Sequence, residues 1–188
     1  PGDAVPRFLH DFEREINKSR FSILVLAGDN TSVNGVRNLS KIWDGAISNP
    51  GILHTVENAP GFNFPHHFTF DMGVPAKLSR FRIWPRTDSG AFTGHSPRFF
   101  EIWGTRELNA DPSDESYWKT DEWKAEWQLM GDHEIIKGDA ADWAAGWEYE
   151  INEDISRVRY IRLVIKNQNW QGSNCVNIGE ITLWGDDL

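Results

Sequence analysis

The sequence predicts an all-β chain folded as an antiparallel β-sandwich. Three observations carry this: a series of short segments in which apolar and polar residues alternate, turn chemistry between them, and no β-α-β rhythm. Phe68, Phe70 and Met72 alternate with His67, Thr69 and Asp71, and Phe81 and Ile83 with Arg80 and Arg82. Phe100 and Ile102 flank Glu101, while Trp147, Tyr149 and Ile151 alternate with Glu148 and Glu150. Ile161, Leu163 and Ile165 alternate with Arg162 and, less cleanly, Val164, and the series closes on Ile178-Gly179-Glu180-Ile181-Thr182-Leu183-Trp184-Gly185. Successive side chains on a strand face opposite ways, so each segment offers one face to a core and the other to water.

The elements follow in order. Residues 1–17 are charged and mixed, with Phe8, Phe12 and Ile16 spaced for a short helix, and read as a lead-in or linker before a sandwich domain over 18–188. Phe21 to Ala27 is an apolar run suited to a buried strand, and Gly28 to Gly35 is turn chemistry. Asn38 to Trp43 suits one helical turn ahead of the Asp44-Gly45 turn. Residues 111–145 depart from the strand pattern: Trp118, Trp123 and Trp127 recur at near-helical spacing among Asp, Glu and Ala. This stretch reads as a long connection with one or two helical turns and a strand near Trp127 to Met130, its Trp123/Trp127 stripe plugging the core. No internal repeat or low-complexity linker divides the chain.

Composition narrows function. A net charge of −9 disfavours nucleic acid, which demands a basic patch, and an anionic membrane surface. No segment reaches the ~20 apolar residues of a membrane span, so no direct membrane insertion is expected. Ten Trp residues point to an aromatic core, to stacking platforms, or to both. The lone Cys175 excludes an intrachain disulfide and a cysteine zinc cluster, and its apolar surroundings predict a buried, inert thiol. No Gly-x-Ser-x-Gly elbow or Gly-rich phosphate loop is present. His66 and His67 are neighbours on a strand and so face opposite sides, unable to chelate together.

The ordered segments together resemble the discoidin, or coagulation-factor C-type, superfamily of galactose-binding-like jelly rolls, which includes the family 32 carbohydrate-binding modules. The resemblance rests on Asn38 to Gly45, His54-Thr55, Pro65 to Met72, Trp84-Pro85-Arg86, Phe100 to Gly104 and Gly179-Glu180-Ile181. It is strongest to the C-terminal discoidin-like domain of surface lipoproteins from bacterial polysaccharide-utilisation operons. It implies a non-catalytic module, part of a longer chain, at the outer-membrane surface, outside the cell or in the periplasm. The implied partners are a glycan or polysaccharide and neighbouring domains.

The resemblance implies two sites. The first is a structural Ca²⁺ held by the side chains of Asp44 and Glu180 and by carbonyls of Lys41, Ala46 and Gly179. Six to eight oxygens suit that ion, and Glu180 interrupts an otherwise apolar last strand, where a buried carboxylate needs a partner. The loop between Asp44 and His54 departs from the family pattern by two extra residues and lacks the usual Thr ligand, with Ser48 or Asn49 as replacements. The alternative is that Asp44 caps a turn and Glu180 pairs with an arginine such as Arg162. The second site is a shallow sugar subsite of His54, Arg86, Asn167 or Asn169, and Trp170. An indole packs on the C–H face of a pyranose while the polar groups take its hydroxyls. The competing readings place His54 on a backbone carbonyl, Arg86 in a solvated loop and Trp170 over the core. The sequence therefore supports a carbohydrate-binding module, with a protein-interaction or spacer domain as the alternative.

Overall fold

The computed structural model describes residues 13–88, 92, 95–166, 170 and 173–188. Ten strands run through them: β1 (Arg14–Glu15), β2 (Ser22–Leu24), β3 (Leu53–His54), β4 (His66–Trp84), β5 (Phe99–Thr105), β6 (Gln128–Glu134), β7 (Trp147–Glu150), β8 (Val158–Ile165), β9 (Asn177–Ile178) and β10 (Glu180–Asp186). Two short helices, α1 (Glu115–Trp118) and α2 (Ala140–Ala145), interrupt them. All the strand pairs are antiparallel.

The sandwich turns on β4, whose 19 residues serve both layers. Its first half pairs with β2 and β8, its second half with β7 and β10. Between them the register against β8 slips from Asp71 to Ala76, and Gly73 takes φ +83°. A side chain there would be strained and would press within 2.9 Å of the Arg20 carbonyl oxygen, so the bend needs glycine. One layer is thus β2-β4-β8-β5-β6 and the other β1-β10-β4-β7. The antiparallel β-sandwich expected from the alternating segments is present.

The alternation predicts the inner faces. Phe68, Phe70, Ile102, Ile161 and Leu163 of one layer and Phe81, Ile83, Ile181 and Leu183 of the other are buried in a single core cluster. Cys175 is buried as well, and its thiol is pushed up to about 11, chiefly by burial.

The 111–145 connection contains α1, a 3₁₀ turn at Glu122–Ala125, β6 and α2. Its Trp123/Trp127 stripe does not plug the inner core, although Met130 and Ile135 join that core. Trp118, Trp123 and Trp127 form a second cluster with Leu26, Trp103 and Val164. Trp103 on β5 and Val164 on β8 belong to the outward-facing set of their strands, so the layer β2-β4-β8-β5-β6 is apolar on both faces there. This explains why Val164 breaks the alternation and why Thr69, between two core phenylalanines, is also buried.

One expected element differs. The Phe21 to Ala27 run is strand only over Ser22–Leu24, and Ile23 and Val25 are exposed. β2 pairs on one side alone, with β4, and so has the exposure of an edge strand rather than of a core strand. The helical turn expected at Asn38 to Trp43 is a 3₁₀ turn at Leu39–Trp43, with the Asn38 side chain accepting from Ser40 N–H.

Candidate functional site

Two loci correspond to the residues singled out above. The first lies where β4 ends and the ribbon β3-β9 packs beside it. In that ribbon His54 is directly opposite Asn177. Asn177, its amide oriented so that Oδ1 faces Arg86 and Nδ2 faces the Val176 carbonyl, accepts from Arg86 Nη1 at 3.2 Å. His54 and Arg86 are thereby brought together through one buried asparagine.

Arg86 is not a free loop arginine. Its Nε donates to Asp88 Oδ1 at 2.6 Å and its Nη2 to Oδ2 at 2.8 Å, a two-pronged pairing that raises the guanidinium pKa. The same pairing lowers the Asp88 carboxyl against its partial burial. Among the described residues three of the five guanidinium N–H groups are engaged, which leaves two for a ligand or water. The loop is held from below, since Thr87 donates to the Ile47 carbonyl from both its backbone N–H and its hydroxyl. Gly179 lets the chain pass here, because a Cβ would lie 2.6 Å from the Pro85 carbonyl oxygen.

His54 Nδ1 lies 2.8 Å from both the Thr55 carbonyl oxygen and Asn34 Nδ2, so one tautomer donates to the carbonyl and the other accepts from the amide. Either way Nδ1 is committed to the protein. The His95 ring stands 6.2 Å away, edge-on, and burial lowers its pKa. The sequence reading missed His95, Asp88 and Asn177. Asp88 had a signal, two residues beyond Arg86 on the same loop; the other two had none, because only the fold brings them in.

Trp170 joins from the neighbouring loop. Its ring meets Phe92 edge-to-face at 4.8 Å, lies under the Arg98 guanidinium at 4.9 Å, and packs partly buried against the main core. Its Nε1 is buried with no hydrogen-bond partner among the described residues. The indole is thus a half-sunk ring offering part of its surface, with Phe92 tying it to the segment that carries Arg86 and His95. Asn167 and Asn169 lie outside the described residues.

The second locus surrounds Glu180, which is 3% exposed. Its Oε1 accepts from Lys18 Nζ at 2.7 Å and its Oε2 from the Gly45 N–H at 2.9 Å. Burial pushes its pKa up to about 7, against the lowering by these donors. Asp44 Oδ1 accepts from the Ala46 N–H, and its Oδ2 lies 3.7 Å from Lys41 Nζ. Asn49 Oδ1 takes the Arg37 Nε–H at 2.7 Å. Arg162, the alternative partner for Glu180, pairs instead with Asp29. Among the described residues, no three or more His, Cys, Asp or Glu side chains are grouped to hold a metal ion.

His66 and His67 behave as adjacent strand residues should. His66 engages Asn30 and the Asn174 carbonyl, whereas His67 lies edge-on to Trp123.

Comparison with known proteins places this arrangement in context. The SusE-like protein BT2857 superposes with a TM-score of 0.75 at 29% identity, covering 92% of this chain and 100% of that one. The third family 32 carbohydrate-binding module of a family 31 glycoside hydrolase from Clostridium perfringens gives 0.68 at 14% identity, covering 95% and 97%. The family 32 module of C. perfringens NanJ, in complex with galactose, gives 0.64 at 18%, covering 92% and 98%. These likenesses bear out the discoidin-like fold. No curated protein sequence matches. A family model does, however, spanning residues 43–185, from the last residue of the 3₁₀ turn before Asp44 into the last strand, and on that match the chain belongs to the DUF5000 family, described as a domain of unknown function.

Proposed function

We propose that this domain is a non-catalytic carbohydrate-binding module of a bacterial cell-surface protein, taking a sugar at the loop end that carries His54 and Arg86. The observation that supports this most is the convergence of those two side chains through Asn177, with the partly exposed Trp170 indole joined to the same segment by Phe92. An arginine pre-set by a carboxylate presents its remaining N–H groups at low entropic cost, which suits hydroxyl recognition. The likeness to a galactose-bound module makes galactose-type sugars the first to test, and the likeness to a SusE-like protein supports a surface location as part of polysaccharide uptake.

The test is a glycan array with the domain displayed multivalently, since a shallow site binds weakly one copy at a time. Arg86→Ala is expected to lower affinity at least tenfold, about 1.4 kcal/mol, in a variant whose folding is confirmed by circular dichroism. Trp170→Ala is expected to abolish binding. Silence of the folded domain across plant, host and microbial glycans would remove this reading.

A second reading has its own observation. Ile23 and Val25 are exposed beside a hollow of about 160 Å³ lined also by Leu24, Val33, Leu39 and Phe68. An apolar edge of this kind fits a spacer domain that docks a neighbour, and a silent array would favour it.

A further inference from the structure

The Glu180 locus does not fit the calcium ion that the family resemblance implies, and the misfit is informative. A Ca²⁺ site gathers six to eight oxygens, carboxylates and carbonyls together, around one point. Here the carboxylate oxygens of the implied set already face donors or a cation of the protein itself. Glu180 Oε1 faces the Lys18 ammonium and Oε2 the Gly45 N–H, so the turn after Asp44 aims a backbone donor at the carboxylate. Asp44 spends one oxygen on its own turn and sets the other near Lys41. Asn49, a replacement ligand in the altered loop, accepts from Arg37. Ser48, the other, gives its carbonyl to the Gly51 N–H.

The Lys18 ammonium, by contrast, is seated as a resident ion would be. It donates to Glu180 Oε1 and to Thr182 Oγ1, both at 2.7 Å, and Glu15 Oε1 lies 3.9 Å away on the third side. Glu180 and Thr182 are two apart on β10 and share one face, so a single ammonium bridges both. The stem is delivered by a local device. Ile16 is fully buried and donates its N–H to Leu183, and Asn17 caps the 3₁₀ turn Lys18–Arg20 by accepting from Ser19 N–H. Phe21 then re-enters the core against Trp43 and Phe70. Two apolar anchors therefore fix the turn that carries Lys18 across the β10 face.

We propose that the Lys18 ammonium is the structural cation of this fold, taking the place of calcium by neutralising Glu180 and clamping the 16–21 segment and the Gly45 turn onto the last strand. The domain is then stable without a divalent ion, and residues 16–21 are part of the sandwich rather than a tether to it.

The decisive measurement uses the wild-type domain: thermal melts in millimolar Ca²⁺ and in excess chelator, with equilibrium dialysis against radiolabelled Ca²⁺. The expected result is the same melting temperature in both and no stoichiometric binding. A rise of several degrees with Ca²⁺, or one tightly bound ion per chain, would overturn the proposal. Lys18→Met is the second arm and is expected to lower the melting temperature by several degrees, with Lys18→Arg recovering part of the loss. A Lys18→Met domain as stable as wild type would equally overturn it. Neither arm involves a sugar, so the outcome is independent of the glycan array.

Discussion

Arg162→Met is expected to destabilise the domain by about 3–5 kcal/mol, the range for removing one partner of a buried ion pair. The side chain is fully buried on the outward face of β8, with Nη2 donating to Asp29 Oδ1 at 2.8 Å. Asp29 is nearly as buried, and its other oxygen accepts the Leu26 N–H at 3.0 Å. The guanidinium sits 4.6 Å from the Trp123 ring centre and 5.4 Å from that of Trp118, with Nε and Nη1 finding no hydrogen-bond partner among the described residues. Its remaining charge is thus met by indole faces, which attract a cation. Burial raises the Asp29 pKa and lowers that of Arg162, and each partner opposes the shift of the other. Deleting the arginine strands a carboxylate among apolar groups. A urea-melt double-mutant cycle with Asp29→Asn checks this: the double variant should recover about 2 kcal/mol or more of the summed single losses. Additive losses would mean that packing under the tryptophans, and not the charge pair, holds Arg162.

The same residue shows what the sequence conceals. Ile161, Leu163 and Ile165 identify an inner face, and the alternation correctly puts Arg162 on the opposite one. Whether that opposite face meets water depends on a connection more than thirty residues upstream, whose Trp118, Trp123 and Trp127 fold back over it. Period-two patterning reads one strand at a time, so a face covered by a distant segment looks solvated. The Phe21 to Ala27 run fails in the other direction, since apolar composition alone does not separate a central strand from an edge strand with Ile23 and Val25 exposed. At the His54–Arg86 locus, what unites the two residues is Asn177, which lies opposite His54 in the β3-β9 ribbon and accepts from Arg86 through its amide, a meeting that only the fold creates. At Glu180 the sequence marks a carboxylate that needs a partner, and the residue is buried. The partner's source was hidden, because Lys18 stands 162 residues from Glu180 in sequence and only the fold brings the two together.

His67 is expected to make the domain acid-sensitive well above the range where carboxylates titrate. Its imidazole lies between β4 and the tryptophan connection, edge-on to Trp123. Its pKa falls to about 3, first through burial and then through the nearby positive charges of Arg162, Lys124 and His66, with Asp121 opposing weakly. The unfolded chain binds this proton near pH 6.5 and the folded one only near pH 3. The stabilisation is therefore complete above about pH 6.5 and is lost progressively as pH falls toward 3, at about 1.4 kcal/mol per unit. Between pH 7 and pH 5 the loss from this residue is about 2 kcal/mol. Glu180, whose pKa is raised to about 7, pulls the other way over much of this interval, so wild type alone does not isolate the effect. His67→Gln does, because it leaves Glu180 in place and removes only the imidazole proton. Urea melts of the two proteins at pH 7 and pH 5 should show the variant losing about 2 kcal/mol less than wild type over that span. Equal losses would mean that the folded domain accepts the proton, with the imidazolium reaching water past the edge of Trp123, and that the Trp-rich connection opens on acidification before the sandwich does.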